Sequence, residues 1–194
     1  MSQILAFSGS SRKESFNGKL LNIAIQGARQ SGADVTLVNL AELDLPIYHQ
    51  DFEAEHGLPD NARKLKELFI ANDALLIASP EYNSAFSPLL KNSLDWASRA
   101  ESDSEPPLSA YQGKSAVIMA ASPGGLGGLR GLVHLRMLLG NLGVLVLPDQ
   151  VAVPQAFNAF ADDGNLLDPK RQASIESLGA KLHQFVSVQT PTTT

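Results

Sequence analysis

Short apolar runs and amphipathic stretches take turns along the chain, and the two periods separate cleanly. Ile4-Leu5-Ala6-Phe7 is a continuous apolar run that stops at Ser8-Gly9-Ser10-Ser11, which predicts a strand over 3–8. From Asn17 to Ser31 the apolar positions Leu20, Leu21, Ala24, Ile25 and Ala28 fall at helical spacing, and Gly32 marks the stop. Val35, Leu37 and Leu40 belong to a second strand. Residues 41–57, with Pro46, Gly57 and several acidic side chains, read as an irregular connection. A connection of that length often covers a site or meets a partner subunit. Pro59 then falls in the first turn of a helix that turns Ala62, Leu65, Leu68 and Phe69 inward. The run 73–79 is a third strand, apolar on both faces, as a central parallel strand should be. Ser87-Pro88 has the form of a helix cap and first helical residue, and Leu90, Leu94 and Ala97 continue that helix. Residues 101–113 form a polar loop. A fourth strand over 115–121 breaks at the glycine-rich run 122–128, and a helix follows to about Leu142. Gly143 separates it from a fifth strand, 144–147, and residues 149–167 read as irregular. In the last helix Ile175, Leu178, Leu182 and Phe185 share one stripe.

Strand and helix patterns thus alternate five times. Parallel neighbours need a crossover, so this order predicts an α/β domain with a five-stranded parallel sheet covered by helices on both faces. In open sheets of this kind ligands bind beyond the carboxyl ends of the strands. The least ordinary segments of the chain fall there: the loops after the first, third and fourth strands.

With 194 residues the chain has the length of one domain, assigned to 1–188, with 189–194 expected as a frayed tail. Fifteen basic against twenty acidic residues leave a net charge of −5 with no basic block, which argues against nucleic acid as a partner. The absence of cysteine removes disulfides, thiolate metal sites and thiol nucleophiles together. His49, His56, His134 and His183 show no metal-ligand spacing. No apolar run has membrane-spanning length, and the amino terminus has no signal-peptide pattern, so a cytoplasmic location is the expectation.

Chemistry concentrates in three loops. The first, 7–17, carries Ser8, Gly9, Ser10, Ser11, Arg12, Ser15 and Asn17 where a strand passes into a helix. Free N–H groups, hydroxyls and the positive end of a helix suit a phosphate, and the Arg12 guanidinium can fork two of its oxygens. The second loop runs from Pro80 through Glu81, Tyr82, Asn83 and Phe86 to Pro88, and the third is Ser122-Pro123-Gly124-Gly125-Leu126-Gly127-Gly128. The first loop lacks the Gly-x-x-x-x-Gly-Lys pattern of a nucleoside-triphosphate loop and the Gly-x-Gly-x-x-Gly of a dinucleotide turn.

Pro80-Glu81-Tyr82-Asn83 leading into Leu90-Lys91-Asn92 and Asp95-Trp96 resembles the NAD(P)H-dependent FMN reductase family. So do the loop from Gly9 to Asn17 and the Ser-Pro-Gly-Gly run. The resemblance extends over nearly the whole chain and implies a flavodoxin-like three-layer sandwich with strand order 2-1-3-4-5. It implies FMN as cofactor, NADPH or NADH as electron donor, and a flavin, quinone or similar small molecule as acceptor. By likeness, Ser10, Arg12, Ser15, Phe16 and Asn17 hold the FMN phosphate; Pro80, Glu81, Tyr82 and Asn83 border the isoalloxazine ring; Ser122, Gly124 and Gly125 line its other flank. The flavin carries the redox chemistry, so no catalytic side chain is assigned. An electron carrier or redox-responsive module with the same cofactor is the rival. The chain departs from the family pattern at Ser11, where many relatives have Leu, and at 85–88. There Phe86 is expected at the mouth of the acceptor pocket. Glu81 is left between cofactor contact and bracing its own turn, and Arg130 between a nucleotide phosphate and a plain surface role.

The helix expected over 126–142 adds one more expectation. Leu129, Leu132, Val133, Leu135, Met137, Leu138, Leu139 and Leu142 wrap most of its circumference, more than one sheet face can cover. A homodimer or homotetramer that buries the remainder is therefore expected.

Overall fold

The computed structural model describes residues 2–189. Five parallel strands stand in the order β2-β1-β3-β4-β5: β1 Gln3–Ser8, β2 Asp34–Val38, β3 Ala74–Ala78, β4 Ser115–Ala121 and β5 Leu145–Val153. The helices are α1 Phe16–Gln30, α2 Gln50–His56, α3 Asp60–Ala71, α4 Pro88–Ala97, α5 Leu129–Asn141 and α6 Pro169–Gln189. This is the expected flavodoxin-like sandwich.

Side chains of the central strands alternate between two cores, because successive residues of a strand point to opposite faces. Ile4, Ala6, Leu76, Val117 and Met119 pack under α1 and α6, together with Leu20, Ala24, Ile175 and Leu182. Leu5, Phe7, Leu75, Ile77 and Ile118 pack under α3, α4 and α5 against Leu65, Phe69, Leu90, Leu94, Leu132 and Leu135. Strands β3 and β4 are buried along their whole length, which accounts for their unbroken apolar sequence. Helices α1 and α6 meet where Gly27 lies on the Glu176 carbonyl and Gly179 on the Ala24 carbonyl, too close for a Cβ on either glycine.

Three expectations need correction. The connection 41–57 is not irregular throughout. A 3-10 turn, Leu40–Leu43, is capped by Asn39, and α2 is capped by the His49 side chain and closed at Gly57, whose φ is 72°. Tyr48 and Phe52 from this segment pack edge-on against buried Trp96, whose indole N–H donates to the Pro46 carbonyl at 2.7 Å. The fifth strand runs on to Val153 rather than ending at 147, because an irregularity opposite Ala116–Ile118 absorbs Pro148 on this edge strand. Helix α5 opens at Leu129, not 126, since Gly127 and Gly128 hold left-handed φ values of 63° and 92°. Gln189, expected as the first residue of the tail, belongs to α6, and residues 190–194 of that tail lie outside the described residues.

Among the described residues no helix is long and apolar enough to cross a membrane.

Candidate functional site

The three loops singled out in the sequence emerge side by side at the carboxyl ends of β1, β3 and β4. Hydrogen bonds stitch them to one another. Gly9 donates to the Ala78 carbonyl at 2.9 Å, Ser79 to that of Met119 at 2.9 Å, and Ser122 to that of Val153 at 3.1 Å. The Ser87 hydroxyl caps α4 by accepting from Leu90 and donates to the Gly9 carbonyl, so the first loop is tied to the second. Gly9 lets the loops approach closely: a Cβ would stand 3.0 Å from Leu90 Cβ and from Ser87 Oγ, so these neighbours would have to give way.

The first loop folds on its own hydroxyls. Ser10 N–H donates to Ser8 Oγ at 3.2 Å, Arg12 N–H to Ser10 Oγ at 3.4 Å, and Gly18 N–H to Ser15 Oγ at 3.1 Å, which makes Ser15 the N-cap of α1. Each hydroxyl accepts within the loop and keeps its own proton to donate outward. The first turn of α1 carries no acidic residue, and the N–H groups of Phe16 and Asn17 have no partner among the described residues. Nor do Arg12 and Lys13 have an ion-pair partner there. Both line a cavity of about 210 Å³ with Ser8, Ser10 and Ser15. Unspent donors and uncompensated positive charge at one loop suit an anion. A larger groove of about 530 Å³ between β5 and α6 touches none of the three loops and takes no part in the site.

Asn17 is turned differently from its neighbours. Its side chain donates to the Ala121 carbonyl at 3.0 Å and accepts from the Ala121 N–H at 2.9 Å, buried, so it ties α1 to the end of β4. What it can offer an anion is its backbone N–H. Phe16 stacks on Phe160 at 5.7 Å and meets Phe157 edge-on at 5.2 Å, and the Arg12 guanidinium lies 5.8 Å from its ring centre.

The second loop turns back at Asn83-Ser84, both left-handed with φ of 51° and 69°, while Tyr82 and Ala85 exchange N–H···O bonds of 2.8 and 3.0 Å. Two successive left-handed residues define a tight hairpin turn, a conformation Asn accepts more readily than Ser. The turn leaves the Tyr82 ring 47% exposed beside Pro80. The Glu81 carboxylate faces away from it, accepting from Arg130 at 3.0 Å and from the Gly131 N–H at 2.9 Å. Glu81 is thus a brace between the turn and the start of α5, and Arg130 is spent on the same brace. A second tie joins the His134 ring nitrogen Nδ1, as donor, to the Ser84 carbonyl at 2.7 Å. Phe86 is half-buried and packs into the core under α3, α4 and α5.

Burial pushes the Glu81 carboxyl up, but the bonds from Gly131 and Arg130 outweigh it and hold the group below its ordinary value. A depressed folded-state value means the brace contributes fully above the ordinary carboxylate pKa of about 4.3 and is lost as pH falls through the lower folded value. Acid titration should therefore loosen the turn, and Glu81→Gln should remove that acid-sensitive step. Tyr82 fluorescence or hydrogen exchange at 82–85, followed from neutral pH downward in both proteins, is the measurement; an identical acid response would sever Glu81 from the turn's stability.

In the third loop Gly127 and Gly128 are compelled by packing. A Cβ would approach Pro154 N to 2.6 Å at the first and Ala120 Cβ to 2.7 Å at the second. Gly124 and Gly125 are different. Neither has a left-handed φ, and a Cβ would meet only Ser122 Oγ at 3.8 Å in one case and open space in the other. Among the described residues nothing calls for glycine at 124 and 125, whereas a flat group lying on this backbone would.

Sequence reasoning missed a fourth segment. Residues 154–160 run alongside the third loop, with Gln155 N–H donating to the Gly124 carbonyl at 3.3 Å and Ala156 N–H to that of Ser122 at 3.1 Å. The same segment supplies Phe157 and Phe160 to Phe16. The signal present in the sequence was the pair of phenylalanines at 157 and 160 in an irregular stretch.

A loop suited to an anion, a Cβ-free backbone and an exposed aromatic turn share one edge of a flavodoxin-like sheet, and comparison with known proteins gives the class. The family model described as NADPH-dependent FMN reductase matches residues 2–158, and the chain belongs to that family, whose cofactor is FMN and whose electron donor is NAD(P)H. It is 38% identical over 175 residues to an NAD(P)H-dependent FMN reductase of Pseudomonas aeruginosa, covering 90% of this chain and 89% of that one. It is 32% identical over 190 residues to an NADPH:quinone oxidoreductase of Arabidopsis thaliana, covering 94% and 91%. Among solved structures it resembles FerB, a flavoenzyme NAD(P)H:(acceptor) oxidoreductase from Paracoccus denitrificans, with a TM-score of 0.79 at 26% identity over 97% of this chain and 98% of that one.

Proposed function

We propose that this oxidoreductase takes electrons from NAD(P)H and delivers them to a quinone, a free flavin or a similar small acceptor, the two substrates using one face of the site in turn. The observation that carries this reading is the division of the sheet edge into an anion end and a flat end. Arg12, the Ser10 and Ser15 hydroxyls and the Phe16 and Asn17 N–H groups would take the FMN phosphate. The Gly124–Gly125 backbone and the 80–83 turn would flank the ring. Bound there, FMN supplies hydride acceptance and onward electron transfer. The chain's part is to hold the ring rigidly while leaving one face open, and the Glu81 and His134 ties to α5 serve that rigidity. Tyr82, half exposed on the turn, offers an aromatic surface to a planar substrate. No side chain at the sheet edge is needed as nucleophile or general base. Quinone reductases among the relatives support the choice of acceptor class.

Incubation with excess FMN, gel filtration, denaturation and mass measurement of the released chromophore test the cofactor assignment. The expected product is FMN in a one-to-one ratio with chain; retention of no flavin overturns it.

The same reading includes self-association. On α5 and the turn before it, Leu126, Leu129, Val133 and Met137 form an exposed stripe, with Val133 59% and Met137 60% exposed. They recur at helical spacing, which is the pattern of a face covered by another helix. Static light scattering at micromolar concentration should return a dimer or tetramer mass, and Val133→Arg should lower it to that of one chain. A native monomer under those conditions would contradict this.

A further inference from the structure

We infer that the segment 155–158 is a wall of the cofactor site, and that Phe157 retains FMN by covering the phosphate end of the first loop. The inference rests on the FMN reading above and assigns a site residue outside the three loops.

Phe157 is a large aromatic side chain left 68% exposed, in a segment that is otherwise well anchored. Its backbone neighbours donate to Gly124 and Ser122 in the third loop. Its ring stands edge-on at 5.2 Å to Phe16, the first residue of α1 and one of the two with an unspent N–H. Phe16 is also stacked on Phe160 at 5.7 Å. The segment therefore bridges the anion end and the flat end, and a ribityl phosphate running between them would pass beside it. The backbone is also held in an unusual state at this point: Gln155, two residues before Phe157, is left-handed with φ of 51°. A non-glycine residue persists there only where its surroundings over-determine it, and the Gly124 and Ser122 bonds do so.

The fold has no evident use for Phe157 as core. Phe16 and Phe160 are half-buried against the α1–α6 core, whereas Phe157 adds little to it and presents its ring to solvent. An exposed ring next to a positively charged loop gains cover when the loop is filled. The methylene carbons of a ribityl chain would meet its face, and water would be kept from the phosphate bonds. In that position Phe157 acts mainly on the rate of cofactor loss, because it must swing clear before the phosphate can leave.

The test compares the wild type, Phe157→Ala, Phe157→Tyr and Arg12→Ala as full-length chains. FMN affinity is read by flavin fluorescence titration. The release rate is read by trapping freed FMN with an excess of an unrelated apoflavodoxin. Thermal unfolding of each apo chain is the control. Phe157→Ala should release FMN about tenfold faster with apo stability little changed, and Phe157→Tyr should restore slow release. If Phe157→Ala releases FMN at the wild-type rate while Arg12→Ala weakens it, the wall is wrong and the phosphate loop stands. If neither variant affects FMN, the placement of the cofactor falls with it. A drop in apo stability with unchanged release reduces Phe157 to a packing residue and overturns the inference.

Discussion

Arg12→Ala should weaken FMN binding roughly tenfold to a hundredfold, the loss of a charge-assisted phosphate bond of about 1.5–3 kcal/mol. Arg12 has no ion-pair partner among the described residues and lies over the Phe16 ring, within the loop whose hydroxyls and N–H groups stand ready for an anion. Removing it leaves no buried partner stranded, so the loss should appear in binding and not in folding. Titration of the apo chain with FMN reads the effect, and the same titration with riboflavin separates phosphate from ring. The Arg12→Ala penalty should vanish for riboflavin, which lacks the phosphate. An equal penalty for both ligands would place Arg12 against the ring instead.

Gly27→Leu should cost the fold about 3 kcal/mol or more, a large share of the roughly 5–15 kcal/mol that holds a domain of this kind together. Helix α1 packs on α6 at closest approach there, with the Glu176 backbone carbonyl where a Cβ would stand and the Ala24 carbonyl facing Gly179 in the same way. Backbone cannot rotate out of the way as a side chain can, so the helices must part and open the core formed by Leu20, Ala24, Ile175 and Leu182. Urea unfolding monitored by circular dichroism is the measurement. Gly140→Ala is the matched control, since a Cβ at Gly140 meets nothing within 4 Å; it should leave stability unchanged or raise it by about 0.5–1 kcal/mol. Similar destabilisation by both changes would mean that helix propensity, not the α1–α6 contact, sets the effect.

Much of the fold was legible in the sequence because its central strands are buried on both sides. Continuous runs such as Ala74–Ala78 and Ser115–Ala121 have little other use, and their limits agree with the sequence reading to within a residue. What escaped were features set by contacts distant in sequence. Helix α2 buries none of its own residues and owes its place to Tyr48 and Phe52 on Trp96, so no apolar stripe announces it. The length of β5 follows from pairing with β4 past a bulge, which Pro148 disguises.

The site divides along the same line. Backbone chemistry was readable: the Ser-rich turn, the free glycines and the polar loop at one sheet edge are local patterns. Side-chain direction was not. Asn17 and Glu81 stand where the family pattern has them, yet the first binds Ala121, 104 positions away, and the second binds Arg130 and Gly131, 49 and 50 positions away. Phe157 lay hidden for the same reason, since only the folded chain brings it to Phe16.

The central claim is that FMN held at this edge exchanges electrons with NAD(P)H and then with a second small molecule. Rapid mixing of the FMN-loaded protein with NADPH, and separately NADH, under anaerobic conditions tests it most directly. The flavin absorbance should bleach within a single turnover time with at least one of the two, and a second mix with a quinone should restore it. Flavin that stays oxidised with both nucleotides would contradict the account and leave the chain an electron carrier.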